Sequence, residues 1–345
     1  MKKLFLLPII TLLFLCGCSN SSAKETISVY NAGEYIDPEI LKDFEKETGI
    51  RVNYSTFASN EDMYIKVTQS QDTYDVLVPS DYMIEKLIKG DFLQELDFSQ
   101  IENFKEVEDN LINPSYDKEN KYSVPYFWGT LGIIYNKDFV KGKVDSWDVL
   151  WDPAYTDQII MYNSQRDTIG CALKRLGYSL NSSDPKEIEE AKKSLIDQKK
   201  IVYAYMDDDG RDVVVSGDAN LSLMYSGDAL LMMSQNESLD YVIPKEGSNM
   251  WIDAMVIPKN SENPSGAHKF INYMLNKEVQ VKNVNYCKGY TSPVKGVKDL
   301  LPDEIKNSKV AYPDMDSLNN METFVDIGDA VKLYDKAWTE INASS

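Results

Sequence analysis

Four short segments each set a carboxylate beside aromatic rings. They are Tyr30-Asn31-Ala32-Gly33-Glu34-Tyr35, Pro79-Ser80-Asp81-Tyr82, Met161-Tyr162-Asn163-Ser164-Gln165-Arg166-Asp167 and Met250-Trp251-Ile252-Asp253. Tyr225-Ser226-Gly227-Asp228 and Tyr290-Thr291 add similar chemistry. A bound anion asks for glycine-rich helix starts, arginine or lysine. Carboxylates beside tyrosine and tryptophan faces suit an ammonium group instead. The carboxylate accepts charge-assisted hydrogen bonds, and the ring attracts the cation while packing on its methylenes. A desolvated cation–π contact contributes about 2 kcal/mol and a charged hydrogen bond about 1.5–3 kcal/mol, so two or three of each exceed the ordinary cost of association. Any one segment is equally what core aromatics and helix-capping acids produce, since Asp37 and Asp167 both stand before helices. The coincidence of four favours a binding site for a cation.

These segments fall where strands should end. Thr26 to Asn31 reads as a strand, and residues 38–48 as a helix with Asp37 as N-cap, Pro38 in its first turn and Gly49 as its stop. Ile50 to Thr56 reads as a strand, residues 59–69 as a helix with Ser59 and Asp62 as a capping pair, Asp75 to Pro79 as a buried strand and Tyr82 to Lys89 as a helix. Strands at 159–162, 201–205 and 220–224 alternate with helices at 167–177, 185–198 and 227–235. Helices follow at 264–275, 277–285 and 326–341. Such β-α-β order predicts α/β lobes with a largely parallel sheet, and ligands of open α/β sheets bind beyond the carboxyl ends of the strands. No internal repeat or low-complexity tract interrupts the pattern.

The N-terminus bears on location. Lys2 and Lys3 precede an apolar run, Leu4 to Leu15, that is shorter than the ~20 residues a membrane helix needs. That is the layout of a secretory signal over residues 1–17. Its end, Leu15-Cys16-Gly17-Cys18, resembles the lipobox of bacterial lipoproteins, which implies lipidation of Cys18, a flexible tether over 18–24, and a body held on the outer side of a membrane, extracellular or periplasmic. The body is long enough for two lobes. The formal charge of −19 becomes −21 without Lys2 and Lys3, which disfavours nucleic acid and anionic headgroups as partners. Cys171 and Cys287 are the cysteines of the body, and Cys171 lies in an apolar helical stretch, as a buried free thiol would. His268 is the only histidine and sits in a polar helix start, where a surface role is expected. No metal-ligand spacing, nucleophile motif or phosphate loop accompanies the acids, so no catalytic residue, metal or cofactor is expected and the chain does not read as an enzyme.

Several motifs resemble the spermidine/putrescine-binding proteins of bacterial ABC importers, from about Glu25 to the end of the chain. Lys46-Glu47-Thr48-Gly49-Ile50, Tyr74-Asp75-Val76-Leu77-Val78-Pro79-Ser80, Ser123-Val124-Pro125-Tyr126, residues 173–179, Pro244-Lys245-Glu246-Gly247 and Tyr312-Pro313-Asp314 carry the likeness of scaffold. Trp251-x-Asp253 carries the likeness of site. The resemblance implies a two-lobed, type II-like periplasmic-binding-protein fold with an N-lobe over 25–129 and 252–297 and a C-lobe over 130–251 and 298–345. A monomer would take a polyamine into the interlobe cleft, close by hinge motion and hand the cargo to the permease subunits. Position by position, it implies that Glu34 and Asp167 meet amines, that Tyr35, Tyr82, Tyr225 and Tyr290 pack on methylenes, and that Ser80 shapes the turn presenting Tyr82. Trp251 would stack on the ligand, Asp253 would pair with an amino group, and Asp207 would add a charge. Ala32 stands where the family commonly has tryptophan, Ser164 where some members have aspartate, and Phe324 near a glutamine. These departures leave spermidine against putrescine open. Another ligand on the same scaffold, such as ferric iron held by Tyr162, Tyr225 and Tyr290 or another cationic metabolite, is the first alternative. A carboxylate-dependent surface hydrolase is the second.

Overall fold

The computed structural model describes residues 24–33 and 35–344. The signal, Cys18 with the tether as far as residue 23, and the expected site residue Glu34 lie outside the described residues. In chain order the strands are β1 Thr26–Ala32, β2 Arg51–Phe57, β3 Val76–Leu77, β4 Ser123–Asn136, β5 Ile159–Tyr162, β6 Val202–Met206, β7 Leu221–Tyr225, β8 Leu239–Val242 and β9 Met250–Val256. The helices are α1 Pro38–Thr48, α2 Asn60–Gln69, α3 Asp81–Lys89, α4 Gln165–Arg175, α5 Pro185–Gln198, α6 Gly210–Ser216, α7 Ser226–Gln235, α8 Pro264–Met274, α9 Lys277–Cys287, α10 Asp303–Lys306 and α11 Val331–Ala343.

Local chemistry accounts for the helix ends. The Asp37 side chain accepts from the Glu39 amide, Pro38 opens α1, and Gly49 closes it at φ 76°, a left-handed conformation that glycine adopts without steric cost. Ser59 caps α2 by accepting from the Asp62 amide. Ile40 and Phe44, one turn apart, bury the inner face of α1.

The sheet order is β2-β1-β3-β9-β4-β7-β5-β6, with β8 also on β4. Each outer half is parallel, as expected: β1 with β2 and β3, and β5 with β6 and β7. The centre is antiparallel, which corrects the expectation of a largely parallel sheet. The reason is β4, whose 14 residues pair first with β9, from Ser123 to Thr130, and then with β7 and β8, from Leu131 to Asn136. Its register shifts between Pro125 and Phe127, where proline has no amide to donate to the ladder. Apolar side chains gather accordingly. One cluster joins β1, β3, α1 to α3, α8, α9, β9 and the first half of β4, while a second joins β5, β7, α4, α5, α11 and Leu131 and Ile133 of β4. A smaller cluster lies against α6 and α7. The architecture is α/β and two-lobed, with β4 and β9 running between the lobes. Among the described residues no helix is long and apolar enough to cross a membrane.

Cys171 is a buried free thiol, and Cys287 is free as well. His268, by contrast, is not at the surface: it is 3% exposed. Its Nε2 accepts from the Asp97 amide at 2.9 Å and its Nδ1 lies 2.6 Å from the Pro264 carbonyl, so the neutral ring with Nδ1 protonated ties α8 to the loop before Phe98. Polar neighbours in sequence hide this role, because α8 turns them outward and His268 inward. Replacing His268 by alanine strands that amide and is expected to cost the ligand-free protein about 1–2 kcal/mol, read as a lower denaturant midpoint. An unchanged midpoint would show the ring to be dispensable.

Candidate ligand-binding cleft

A cleft of about 680 Å³ opens between the two lobes, in the size range of small-molecule sites. One wall is supplied by the end of β1, α2 and the start of α3, the other by the turns after β5, β6 and β7. The floor is β9 with the Tyr290 loop.

Asp253 anchors the floor. Its Oδ1 accepts from Ser80 Oγ and its Oδ2 from Tyr35 Oη, each at 2.6 Å. Ser80 holds the N-cap position of α3 but gives its hydroxyl to Asp253 rather than to a helix amide. It is itself fixed by Asn60, which accepts from the Ser80 amide at 3.1 Å and donates to its hydroxyl at 3.1 Å. Asp167, in the first turn of α4, is held from the opposite wall: its Oδ2 accepts from Ser164 Oγ at 2.6 Å and from Tyr225 Oη at 2.7 Å. Burial pushes both carboxyls above the ordinary carboxylate range, and the hydroxyl donors pull them only partly back.

Aromatic rings connect the two acids. Tyr162, Tyr225, Trp251, Tyr290 and Tyr35 follow one another edge to face, with centroid separations of 5.3, 6.3, 6.0 and 4.7 Å. Such tilted contacts suit the ring quadrupoles, and all five residues line the cavity. Tyr82 donates to Glu61 Oε1 at 3.0 Å, and Tyr162 to Asp208 Oδ1 at 2.8 Å, so two further acids are oriented by phenols. Ala32 leaves its part of the lining without a ring, Ser164 serves as a donor to Asp167, and Phe324 lies buried beneath the Arg166 guanidinium at 4.5 Å.

Charge decides what this cavity can take. The described lining carries Glu61, Asp81, Asp167, Asp208, Asp228, Asp253 and Asp335 against Lys86, Arg166 and Arg211, seven acids against three bases. The arginines already have partners: Arg211 pairs with Asp228 at 2.7 Å, and Arg166 donates to Asn181 and to the Val325 carbonyl. A surplus of negative charge in a ring-lined, half-enclosed space suits a cation with an apolar body. Among the described residues no group of three or more His, Cys, Asp or Glu side chains is placed to hold a metal ion.

Of the residues expected from sequence, the cavity brings together Tyr35, Ser80, Tyr82, Asp167, Tyr225, Trp251, Asp253 and Tyr290. It does not include Asp207. That residue is exposed and accepts from Asn163 Nδ2 at 3.4 Å, because the turn from β6 into α6 brings Asp208, not Asp207, to the Tyr162 hydroxyl. Glu61, Asp81, Arg166, Asp208 and Asp228 are among the charged lining groups that sequence reasoning passed over, with Lys86, Arg211 and Asp335. Asp81, Arg166 and Asp228 lay inside the segments first singled out, so their signal was present. Glu61 had none, since it reads as an exposed acid in the first turn of α2.

The pattern of the family described as bacterial extracellular solute-binding protein matches residues 39–313. The spermidine/putrescine-binding periplasmic protein of Escherichia coli K12 is 37% identical over 329 residues, 95% of this chain and 94% of that one. Among solved structures, the spermidine/putrescine ABC transporter substrate-binding protein PotD of Streptococcus pneumoniae is 40% identical, with a TM-score of 0.85 over 92% of this chain and 98% of that one. The TpPotD lipoprotein of Treponema pallidum is 25% identical, with a TM-score of 0.84 over 92% and 99%. The first two of these are named as binding proteins. The protein belongs to the family of bacterial extracellular solute-binding proteins and shares that family with the spermidine/putrescine-binding proteins it resembles over nearly its whole length.

Proposed function

We propose that this protein captures a polyamine, spermidine or putrescine, between its lobes and delivers it to an ABC permease, and that it catalyses no reaction. The observation that carries the reading is the pair of hydroxyl-clamped acids, Asp167 and Asp253, on different faces of one cleft and joined by a run of aromatic rings. Each acid pairs with an ammonium group, while Trp251, Tyr225, Tyr290, Tyr35 and Tyr82 pack along the methylenes. Tyr35, Ser80 and Tyr82 belong to one lobe and Asp167 and Tyr225 to the other, so a ligand that contacts both favours the closed form.

The lobe limits proposed are 25–129 with 252–297 and 130–251 with 298–345. The partition of apolar clusters supports a crossing near Gly129 and Trp251, which face each other across β4 and β9. The lipobox-like end of the leader supports anchoring through Cys18 on the outer side of the membrane, where a monomer would meet the permease. Calorimetric titration of residues 19–345 with spermidine, putrescine, spermine and a monoamine tests the reading. One-to-one binding of a polyamine without binding of the monoamine is expected, and silence with all three polyamines overturns it.

The raised carboxyls of Asp167 and Asp253 give binding a pH signature. An ammonium partner needs them ionised, so affinity should fall as pH drops through their raised range, and binding in that range should release protons. For the ligand-free fold the sign is opposite. A carboxyl raised by folding stabilises the fold at low pH, and that contribution is lost as pH rises through the raised value. Titrations in two buffers of different ionisation enthalpy read the released protons directly. Identical heats in both at mildly acidic pH would contradict the expectation.

A further inference from the structure

Two groups of opposite charge, the buried Asp81 and the half-buried Arg166, line the cleft without being used by the site described above. Asp81 opens α3 on one wall and is 1% exposed. Its Oδ1 accepts from the Tyr82 amide at 2.7 Å, and its buried Oδ2 has no partner among the described residues. Arg166 stands in the first turn of α4 on the other wall. Its Nη2 donates to Asn181 Oδ1 at 2.8 Å and its Nη1 to the Val325 carbonyl at 3.3 Å, and its guanidinium lies over Phe324. Its buried Nε–H has no acceptor among the described residues. A buried carboxylate oxygen and a buried guanidinium N–H left open in one cavity are each costly, and each is the natural partner of the other.

The rim of the cleft already links the elements that carry them. Val325, whose carbonyl takes Arg166, is followed by Asp326. The Asp326 amide donates to Glu85 Oε2 at 2.6 Å, and its carboxylate takes Lys89 at 3.1 Å. Glu85 and Lys89 belong to α3, the helix that Asp81 begins. The strap thus tethers α3 beyond its first turn to the wall that carries Arg166, so that pivoting of α3 about this tether changes the separation of Asp81 and Arg166. Burial dominates both groups, raising the Asp81 carboxyl and lowering Arg166, and Asp253 raises Asp81 further; against this each of the pair favours the charged form of the other.

We infer that Asp81 and Arg166 form an ion pair between the lobes on full closure, so that the arginine acts as a built-in cation and only Asp167 and Asp253 remain as buried carboxylates for the ligand. Resting on the polyamine reading, this makes the buried part of the cleft a site for two ammonium groups. The third amine of a triamine must then be met by the more exposed Glu61 or Asp208. Arg166 is here a positioning residue that sets how much negative charge the ligand meets.

The test compares putrescine and spermidine on wild type, Asp81→Asn, Arg166→Gln and the double variant, by calorimetry with melting midpoints recorded alongside. Asp81→Asn leaves Arg166 unopposed and is expected to weaken putrescine about tenfold or more, whereas the double variant should return to within about threefold of wild type. Arg166→Gln frees Asp81 and should shift preference toward spermidine by about fivefold or more. Arg166→Met, which keeps the stem over Phe324, stands in if the glutamine variant does not fold. Additive losses in the double variant, or an unchanged spermidine-to-putrescine ratio when Arg166 is neutralised, would overturn the pairing while leaving polyamine capture intact. Failure of wild type to bind either amine would instead remove the reading on which it rests.

Discussion

Asp253→Asn is expected to weaken polyamine binding by about 30- to 700-fold, corresponding to about 2–4 kcal/mol, because it removes one partner of a desolvated charge pair. Geometry makes the loss large. Both oxygens of Asp253 accept from hydroxyls that hold the group in place, Ser80 on one side and Tyr35 on the other, so the carboxylate is oriented before ligand arrives. An asparagine amide keeps the shape but presents a donor where a hydroxyl also donates, and it carries no charge toward the ammonium. The fold should survive, since Asp253 lies on β9, whose ladder with β4 is made by the backbone. Calorimetry would check the affinity and a thermal melt the integrity. Wild-type affinity in a folded Asp253→Asn protein would mean that the amine is met elsewhere.

A second large effect is expected from a residue that never touches the ligand. Gly129 on β4 faces Trp251 on β9. A Cβ added at Gly129 would lie 2.4 Å from Trp251 Cζ2 and 2.7 Å from Ser226 Oγ, closer than atoms can approach, so the indole must move. Trp251 is edge-on to Tyr225 and Tyr290, and its displacement disturbs the run of rings on both sides. Gly129→Ala is therefore expected to reduce polyamine affinity by about 5- to 150-fold, the equivalent of about 1–3 kcal/mol in lost stacking and cation–π contact. Trp251→Ala removes the ring itself and should also cost about 3–5 kcal/mol of stability, because the indole is part of the core. Comparing the two separates wall from scaffold. If Gly129→Ala binds normally, the indole is not where the ligand stacks.

Much of the site was legible because its residues carry their chemistry in their type. A carboxylate next to aromatic rings at a strand end is readable in one dimension and marked the segments, while the family resemblance singled out Ser80, Tyr82, Asp167, Tyr225, Trp251 and Asp253 within them, all of which line one cavity. Asp207 shows the limit. Whether the first or second aspartate of a turn reaches a cavity depends on how the backbone leaves β6, and no local pattern records that. Glu61 shows another: an acid in the first turn of a helix reads as a favourable charge near the helix dipole, and only the fold brings Tyr82 to it. His268 was misread for the same reason, since its partner Asp97 lies 171 residues away in sequence.

The sequence by itself determined most helices, the outer parallel strands and the surplus of acids in the cleft, because caps, apolar periodicity and side-chain chemistry act over a few residues. Tertiary structure alone decided the antiparallel centre, where β4 joins two half-sheets. It also decided which acids are clamped by hydroxyls and that Arg211 pairs with Asp228. Those are contacts between segments far apart in sequence, 173 residues in the case of Ser80 and Asp253, and their energies depend on burial and orientation that exist only once the chain is folded.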